Sequence, residues 1–352
     1  MHATNDSPVR GYRALRAWLV IVIFTIFAMV IVGGLTRLTG SGLSMVDWQP
    51  ILGALPPVTE AQWMERFDAY RQFPEYLKVN KGMSLEDFKY IFYWEYGHRL
   101  LGRSIGLIYG LPLLVFWIMG IARGRLGAKL FFALLLGGLQ GLLGWYMVKS
   151  GLIDQPRVSH YRLAAHFSLA VFLMGYLFWV WMSLSPSKIN VSSKSRTKSS
   201  LAGYASVLLL LIAFQLVYGA MTAGLDAGLV YNSFPDWNGQ WLPAGLASME
   251  PLLLNLTANP VGVQFVHRTT GWVVLAAVIG FFVMNIRSKR SRKEALSAAF
   301  LLLAVLCQFA LGILTLIWYV PVNIASMHQG GALIVVLLML WNVFLHRQKA
   351  CE

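Results

Sequence analysis

His98, His166, His267 and His328 each fall near the start of a long apolar stretch, and they form two matching pairs. A histidine inside a membrane span costs free energy and usually serves a function. Two imidazoles projected from neighbouring helices into one space suit the two axial positions of a six-coordinate haem iron. Two such pairs predict two haem sites. Zinc suits the pattern less well, because no Asp, Glu or Cys ligand recurs in both halves. Any one of these histidines could be an ordinary packing residue, but repetition at matched positions argues against that for the set. His160 has no counterpart in the second half, and His2 and His346 stand at the polar ends. These three read as solvated surface residues.

Something must bring the four histidines together, and the composition says what. The chain has 352 residues, of which 57% are hydrophobic and only 12% charged. That excludes disorder and argues against a water-soluble domain. Eight apolar runs are long enough for a bilayer core, which takes roughly 20 helical residues. They lie at about 17–35, 100–122, 129–148, 162–183, 201–223, 264–286, 295–318 and 326–345.

A net charge of +14 would suit nucleic acid, but its placement suits a lipid bilayer instead. Arg10, Arg13 and Arg16 precede the first span; Arg123, Arg125 and Lys129 lie between the second and third. Lys188, Lys194, Arg196 and Lys198 lie between the fourth and fifth, and Arg287, Lys289, Arg290, Arg292 and Lys293 between the sixth and seventh. Arg347 and Lys349 follow the eighth, whereas the loop 224–263 has no Lys or Arg. Alternate loops are therefore basic, which predicts both termini inside. The start resembles neither a cleaved signal nor a transit peptide, so a bacterial inner membrane is the expected address. The histidine ends then face the periplasm. No C-x-x-C-H motif for covalent haem occurs, and Cys307 and Cys351 are not placed to pair.

The spans repeat. His98-Arg99-Leu100-Leu101-Gly102 opens the second, and His267-Arg268-Thr269-Thr270-Gly271 the sixth. Gln140-x-x-x-Gly144 in the third matches Gln308-x-x-x-Gly312 in the seventh. His166 matches His328, and Asp47-Trp48 then Leu55-Pro56 match Asp236-Trp237 then Leu242-Pro243. Gly33-Gly34-Leu35-Thr36 closes the first span as Gly219-Ala220-Met221-Thr222 closes the fifth. An even number of spans per half gives both halves one orientation. The expected fold is thus an all-α polytopic membrane protein built as two parallel-repeat four-helix bundles. Residues 1–185 form the first half, 201–352 the second, and the Ser/Lys-rich segment 186–200 the cytoplasmic linker.

The halves differ where chemistry would care. Glu95 stands three residues before His98, and Gln264 three before His267. That spacing puts each on its histidine's helical face. Glutamine keeps the shape but carries no charge and exchanges no proton, so one site is equipped for chemistry and the other for holding a fixed cofactor. A structural carboxylate paired with Arg99 is the plainer reading of Glu95. Arg99 and Arg268 sit where haem propionates would want a cation. Arg37 could serve propionates or Asp47. Gly102 and Gly271, four residues after a histidine, leave room for a flat macrocycle. The first outer loop, 36–97, is the larger, and its aromatic segment 56–95 reads either as a lid or as a helix lying on the membrane.

Taken together, these motifs resemble the haem A synthase family, in its proteobacterial and mitochondrial branch. The resemblance is carried by Gly33-Gly34-Leu35-Thr36-Arg37-Leu38-Thr39-Gly40-Ser41-Gly42-Leu43-Ser44, Asp47-Trp48, Glu95-Tyr96-Gly97-His98-Arg99, His166, His267-Arg268 and His328-Gln329. It implies an oxidoreductase that converts the C8 methyl of haem O to a formyl through hydroxylated intermediates, with oxygen from water, for cytochrome oxidase assembly. It implies a resident haem b on His267 and His328, beside Arg268 and Gly271. It implies the substrate haem on His98 and His166, beside Arg99 and Gly102, with Glu95 as the proton-handling group. A haem O synthase partner and an electron acceptor follow from the pathway, and Gly-rich spans allow self-association. Some family members carry a cysteine pair in the first outer loop; this chain has none there, so a thiol step cannot operate. The competing readings are a di-haem b-type membrane cytochrome passing electrons to or from quinone, and a haem transporter.

Overall fold

The computed structural model describes residues 7–47, 55–152, 156–184, 200–288 and 291–348. Among these residues the chain is helical and contains no strand. The helices are α1 (Ser7–Leu38), α2 (Glu60–Arg71), α3 (Pro74–Lys78), α4 (Leu85–Ile118), α5 (Gly124–Lys149), α6 (His160–Ser183), α7 (Ser200–Gly224), α8 (Pro260–Arg287), α9 (Arg292–Ile317) and α10 (Val322–Gln348). All but α2 and α3 are long and apolar enough to cross a membrane, and each expected span falls on one of those eight.

One boundary differs in an informative way. The second span was expected from about residue 100, but α4 begins at Leu85. Its outer part carries Glu86, Asp87, Lys89 and Glu95, which hide it from a reading by hydropathy. Ser84 fixes the true start: its side chain accepts from the Asp87 amide while Asp87 reaches back to the Ser84 amide. His98 therefore stands well inside a helix that continues beyond the apolar core. Helix α8 also starts early, at Pro260, behind the Asn259 cap. His160, expected in a loop, opens α6.

The chain divides into two compact units, Met1–Leu177 and Phe178–Glu352. The division falls inside α6; the expected linker, apart from Ser200, lies outside the described residues. The last turns of α6 group with the second unit, where Trp179 meets Phe344 edge-on at 5.3 Å.

In the second unit α7 packs on α8 and α10, α8 on α9, and α9 on α10, which closes a four-helix ring. The end away from His267 and His328 is pinned by buried polar groups. His346 is fully buried, with Nδ1 2.8 Å from the Asn342 carbonyl and Nε2 2.9 Å from Asn285 Oδ1. This corrects the expectation of a solvated His346. Helix α10 runs on past its apolar stretch, and His346 stays inside the bundle, where Asn285 and Asn342 supply polar partners.

In the first unit α1 packs on α4, and α4 on α5. Tyr176 of α6 donates to the Lys129 carbonyl of α5. Helices α2 and α3 fold against the outer part of α4 around Trp63, Phe67, Tyr70, Phe88, Ile91 and Phe92. Phe67 stacks on Phe88 at 5.0 Å, and Trp63 meets Phe92 edge-on at 5.1 Å. These aromatics bury one another. The segment 56–95 is therefore a small packed body, not a lone amphipathic helix whose aromatics face lipid. Met45 and Val46 pack against it and link it to the site below.

Candidate functional site

All four histidines meet a glycine on the helix that precedes them in the bundle. A methyl group built on Gly33 of α1 would lie 2.8 Å from His98 Nε2. One built on Gly144 of α5, Gly219 of α7 or Gly312 of α9 would lie 3.0 Å from Cε1 of His166, His267 or His328 respectively. Only glycine leaves space for an imidazole so close to the neighbouring backbone. Each histidine is partly buried. His98 is within electrostatic range of His166, and His267 of His328, so the two sequence pairs are also spatial pairs.

A turn before three of these glycines stands a glutamine. Gln140 Nε2 donates to the His166 carbonyl at 3.0 Å, Gln215 to that of His267 at 3.0 Å, and Gln308 to that of His328 at 2.8 Å. The sequence reading found Gln140-x-x-x-Gly144 and Gln308-x-x-x-Gly312 but missed Gln215-x-x-x-Gly219. Aligning Gly33-Gly34 with Gly219-Ala220 one turn further back would have exposed it.

Gly102 and Gly271 each face a side chain of the neighbouring helix. A methyl built on Gly102 would lie 3.3 Å from Met29 Cε, and one on Gly271 3.5 Å from Gln215 Nε2. These glycines admit a side chain from α1 or α7.

Glu95 is almost fully buried and has a partner on each carboxylate oxygen. Oε1 accepts from Arg99 Nη2 at 2.6 Å, and Oε2 accepts from the Ser44 hydroxyl and the Met45 amide, both at 2.8 Å. Arg99 also donates to the carbonyls of Met45 and Asp47. The Asp47 carboxylate itself is taken by Arg66 at 2.9 Å. Glu95 thus ties α4 to the chain leaving α1. Ser44 closes the motif that runs from Gly33, but its bond to Glu95 is not legible there, and the Met45 amide gave no signal because any residue but proline supplies a backbone donor.

In the second unit, Gln264 donates to the Tyr231 carbonyl at 3.0 Å. Arg268 donates to the carbonyls of Ser233, Pro235 and Asp236 and lies 3.7 Å over the Trp237 ring. Each arginine therefore clamps the loop beside its histidine through backbone carbonyls, an arrangement not visible in the sequence.

Nδ1 of His166, His267 and His328 is buried with no hydrogen-bond partner. Among the described residues no group of three or more His, Cys, Asp or Glu side chains gathers. Each site thus offers two imidazoles as metal donors. That suits haem, whose porphyrin supplies the other four ligands, better than a bare tetrahedral ion.

Comparison with known proteins agrees in kind. The profile of the cytochrome oxidase assembly protein family COX15-CtaA matches residues 16–340. The chain is 44% identical to a protein of Sinorhizobium medicae named heme A synthase, over 93% of this chain and 88% of that one. It is 43% identical to a heme A synthase of Parvibaculum lavamentivorans, over 95% and 94% of the two chains. A heme A synthase of Mesorhizobium japonicum is 44% identical over 95% of this chain and 91% of its own.

Proposed function

The chain belongs to the cytochrome oxidase assembly protein family, and on that premise we propose that it is a haem A synthase, oxidising the C8 methyl of haem O to a formyl. The observation that carries the division of roles is Glu95 beside His98 where Gln264 stands beside His267. One histidine pair has an ionisable neighbour and the other does not.

On this reading His98 and His166 hold the substrate haem, and His267 and His328 hold a resident haem b. Support for both sites comes from glycines that let each imidazole lie against the neighbouring helix and from the Nδ1 atoms of His166, His267 and His328, which have no protein partner. When bound, haem b supplies a one-electron redox centre. Methyl oxidation with oxygen from water releases electrons, which an external electron acceptor would take, and protons, of which Glu95 takes one unless it orients the attacking water. Ser44, the Met45 amide and Arg99 fix that carboxylate, so its aim is set before substrate arrives. Arg99 and Arg268 hold the outer loops over their sites.

The two halves form a parallel repeat with both termini inside, in a bacterial inner membrane, with the histidine ends at the periplasmic face. Support comes from basic residues at the opposite helix ends: Arg123 and Arg125 after α4, Arg287 closing α8 and Arg347 closing α10.

The test is haem extraction and chromatography after expression in cells that make haem O. Haem A or a hydroxylated haem O in the extract supports the synthase. Haem B alone, at two per chain, favours the electron-transfer cytochrome, a reading that the full pairing of Glu95 as a structural carboxylate also allows.

A further inference from the structure

The four histidine sites share one plan, and one of them breaks it. Gln140, Gln215 and Gln308 each stand a turn before the site glycine and donate to the backbone carbonyl of the histidine. At the fourth site the residue a turn before Gly33 is Met29. It sits beside Gly102 much as Gln215 sits beside Gly271, with its terminal methyl where the amide would be. A thioether has no hydrogen to donate. The His98 carbonyl therefore lacks the glutamine bond that ties the other three, and α1 reaches this part of α4 through Thr36, which donates to the Trp94 carbonyl at 3.3 Å.

The rings differ in step with this. His166, His267 and His328 all turn Cε1 toward their glycine, at 3.0 Å from a methyl built there. His98 turns Nε2 toward Gly33, at 2.8 Å. The three histidines with a glutamine tie share an orientation, and the untied one departs from it. Methionine is also the most adaptable apolar side chain, with three rotatable bonds and a soft sulfur. A contact made through Met29 lets the turn that carries His98 adjust against α1 without breaking a bond to the His98 carbonyl, while Trp18 and Thr36 of α1 hold α4 at the Ile108 and Trp94 carbonyls.

We propose that Met29 makes His98 the releasable axial ligand, through which the first site admits haem O and discharges its product, while Gln215 locks His267 so that the second site keeps its haem. The inference rests on the reading that His98 and His166 hold the substrate. A site that turns over its haem needs one ligand that lets go, and a site for a resident cofactor needs none. Met29 is a positioning residue on this account, because it acts through His98.

The test is haem release from purified full-length protein loaded at both sites with iron protoporphyrin IX. Excess apomyoglobin captures the released haem, and absorbance follows the transfer. The wild type should lose haem in a fast and a slow phase, with His98→Ala quickening the fast one and leaving the slow one as it was. Met29→Gln should slow the fast phase about fivefold, the factor that one net hydrogen bond supplies. Met29→Leu, which adds no donor, should leave that phase as it was. Gln215→Met should speed the slow phase by a similar factor, and it carries the test if Met29→Gln does not accumulate. A fast phase that quickens in His98→Ala yet ignores Met29→Gln overturns the inference alone, as does a slow phase indifferent to Gln215→Met. Two phases that persist unchanged in His98→Ala overturn the substrate-site reading beneath it.

Discussion

Replacing Glu95 with glutamine should stop turnover and also loosen the outer loop, and the two effects can be separated. The carboxylate has three donors around it: Arg99 on Oε1, and Ser44 and the Met45 amide on Oε2. A glutamine that keeps its oxygen toward Ser44 and Met45 turns its amide nitrogen onto Arg99, donor against donor. Both partners of the pair are buried, with side-chain exposures of 11% for Arg99 and 3% for Glu95. Removing one member of a buried pair costs about 3–5 kcal/mol. The lower end applies, about 3 kcal/mol, because Arg99 keeps its bonds to the carbonyls of Met45 and Asp47. Glu95→Gln should therefore show faster hydrogen exchange over 43–47 while still binding haem. Turnover, read as haem A formed per chain, should drop by about 10²–10⁴, the usual share of a general base. Arg99→Gln loosens the same loop by losing the bonds to the Met45 and Asp47 carbonyls but keeps the carboxylate, so it should retain far more turnover than Glu95→Gln. Wild-type turnover in Glu95→Gln would refute the proton role. Equal loss of turnover in Arg99→Gln would show that the carboxylate acts only by holding the loop.

Gly312→Ala presses a methyl onto His328 at 3.0 Å, so the ring must give by a few tenths of an ångström. Such overpacking costs about 1–3 kcal/mol, and the variant should fold but extract with less haem b. Gly262→Ala is a different case: its methyl would overlap the Asn255 carbonyl oxygen, which is backbone and cannot step aside, so accumulation in membranes should fail. His346→Leu should lower the thermal stability of the second unit by about 1–3 kcal/mol, because Asn285 and Asn342 lose a buried partner, with haem content kept below the transition. In the outer body, burial raises the Glu75 carboxyl from 4.5 to about 7, with Glu95 adding to the rise and the Tyr70 hydroxyl opposing it. The fold thus favours neutral Glu75: its contribution is full below pH 4.5, fades as pH rises through about 7, and amounts to about 3 kcal/mol. Hydrogen exchange over 59–96 should quicken across that window, and Glu75→Gln should remove the pH dependence.

The apolar runs made the eight spans legible, because crossing a bilayer imposes length and composition together. The histidine pairs were legible because they recur in both halves. What stayed hidden has physical reasons. The outer half of α4 carries charges on a helix that packs against α2 and α3, so hydropathy alone places its start too late. His346 is polar and near the end of the chain, yet buried, because Asn285 and Asn342, far apart in sequence, converge on it. The partners of Arg99 and Arg268 are backbone carbonyls, which no residue type advertises. Met29 escaped notice because methionine in an apolar helix is unremarkable until Gln215 is seen in its place.

The differences between the halves are not scattered. Gln140, Gly144 and His166 on α5 and α6 keep the types and contacts of Gln308, Gly312 and His328 on α9 and α10. Met29 and Glu95, which depart from Gln215 and Gln264, both lie on α1 and α4. The aromatic body of α2 and α3 is also built onto α4. The features that set the first site apart are thus confined to one helix pair, and the other pair is left alike in both units. If the first site oxidises its haem, His166 is then the constant anchor and His98 the side at which substrate, water and proton are handled. His166→Ala should therefore lose haem from the first site outright. His98→Ala should leave it bound through His166 in a five-coordinate, high-spin form, visible as a shifted Soret band. Equal loss in both variants would dissolve the distinction between anchor and working side.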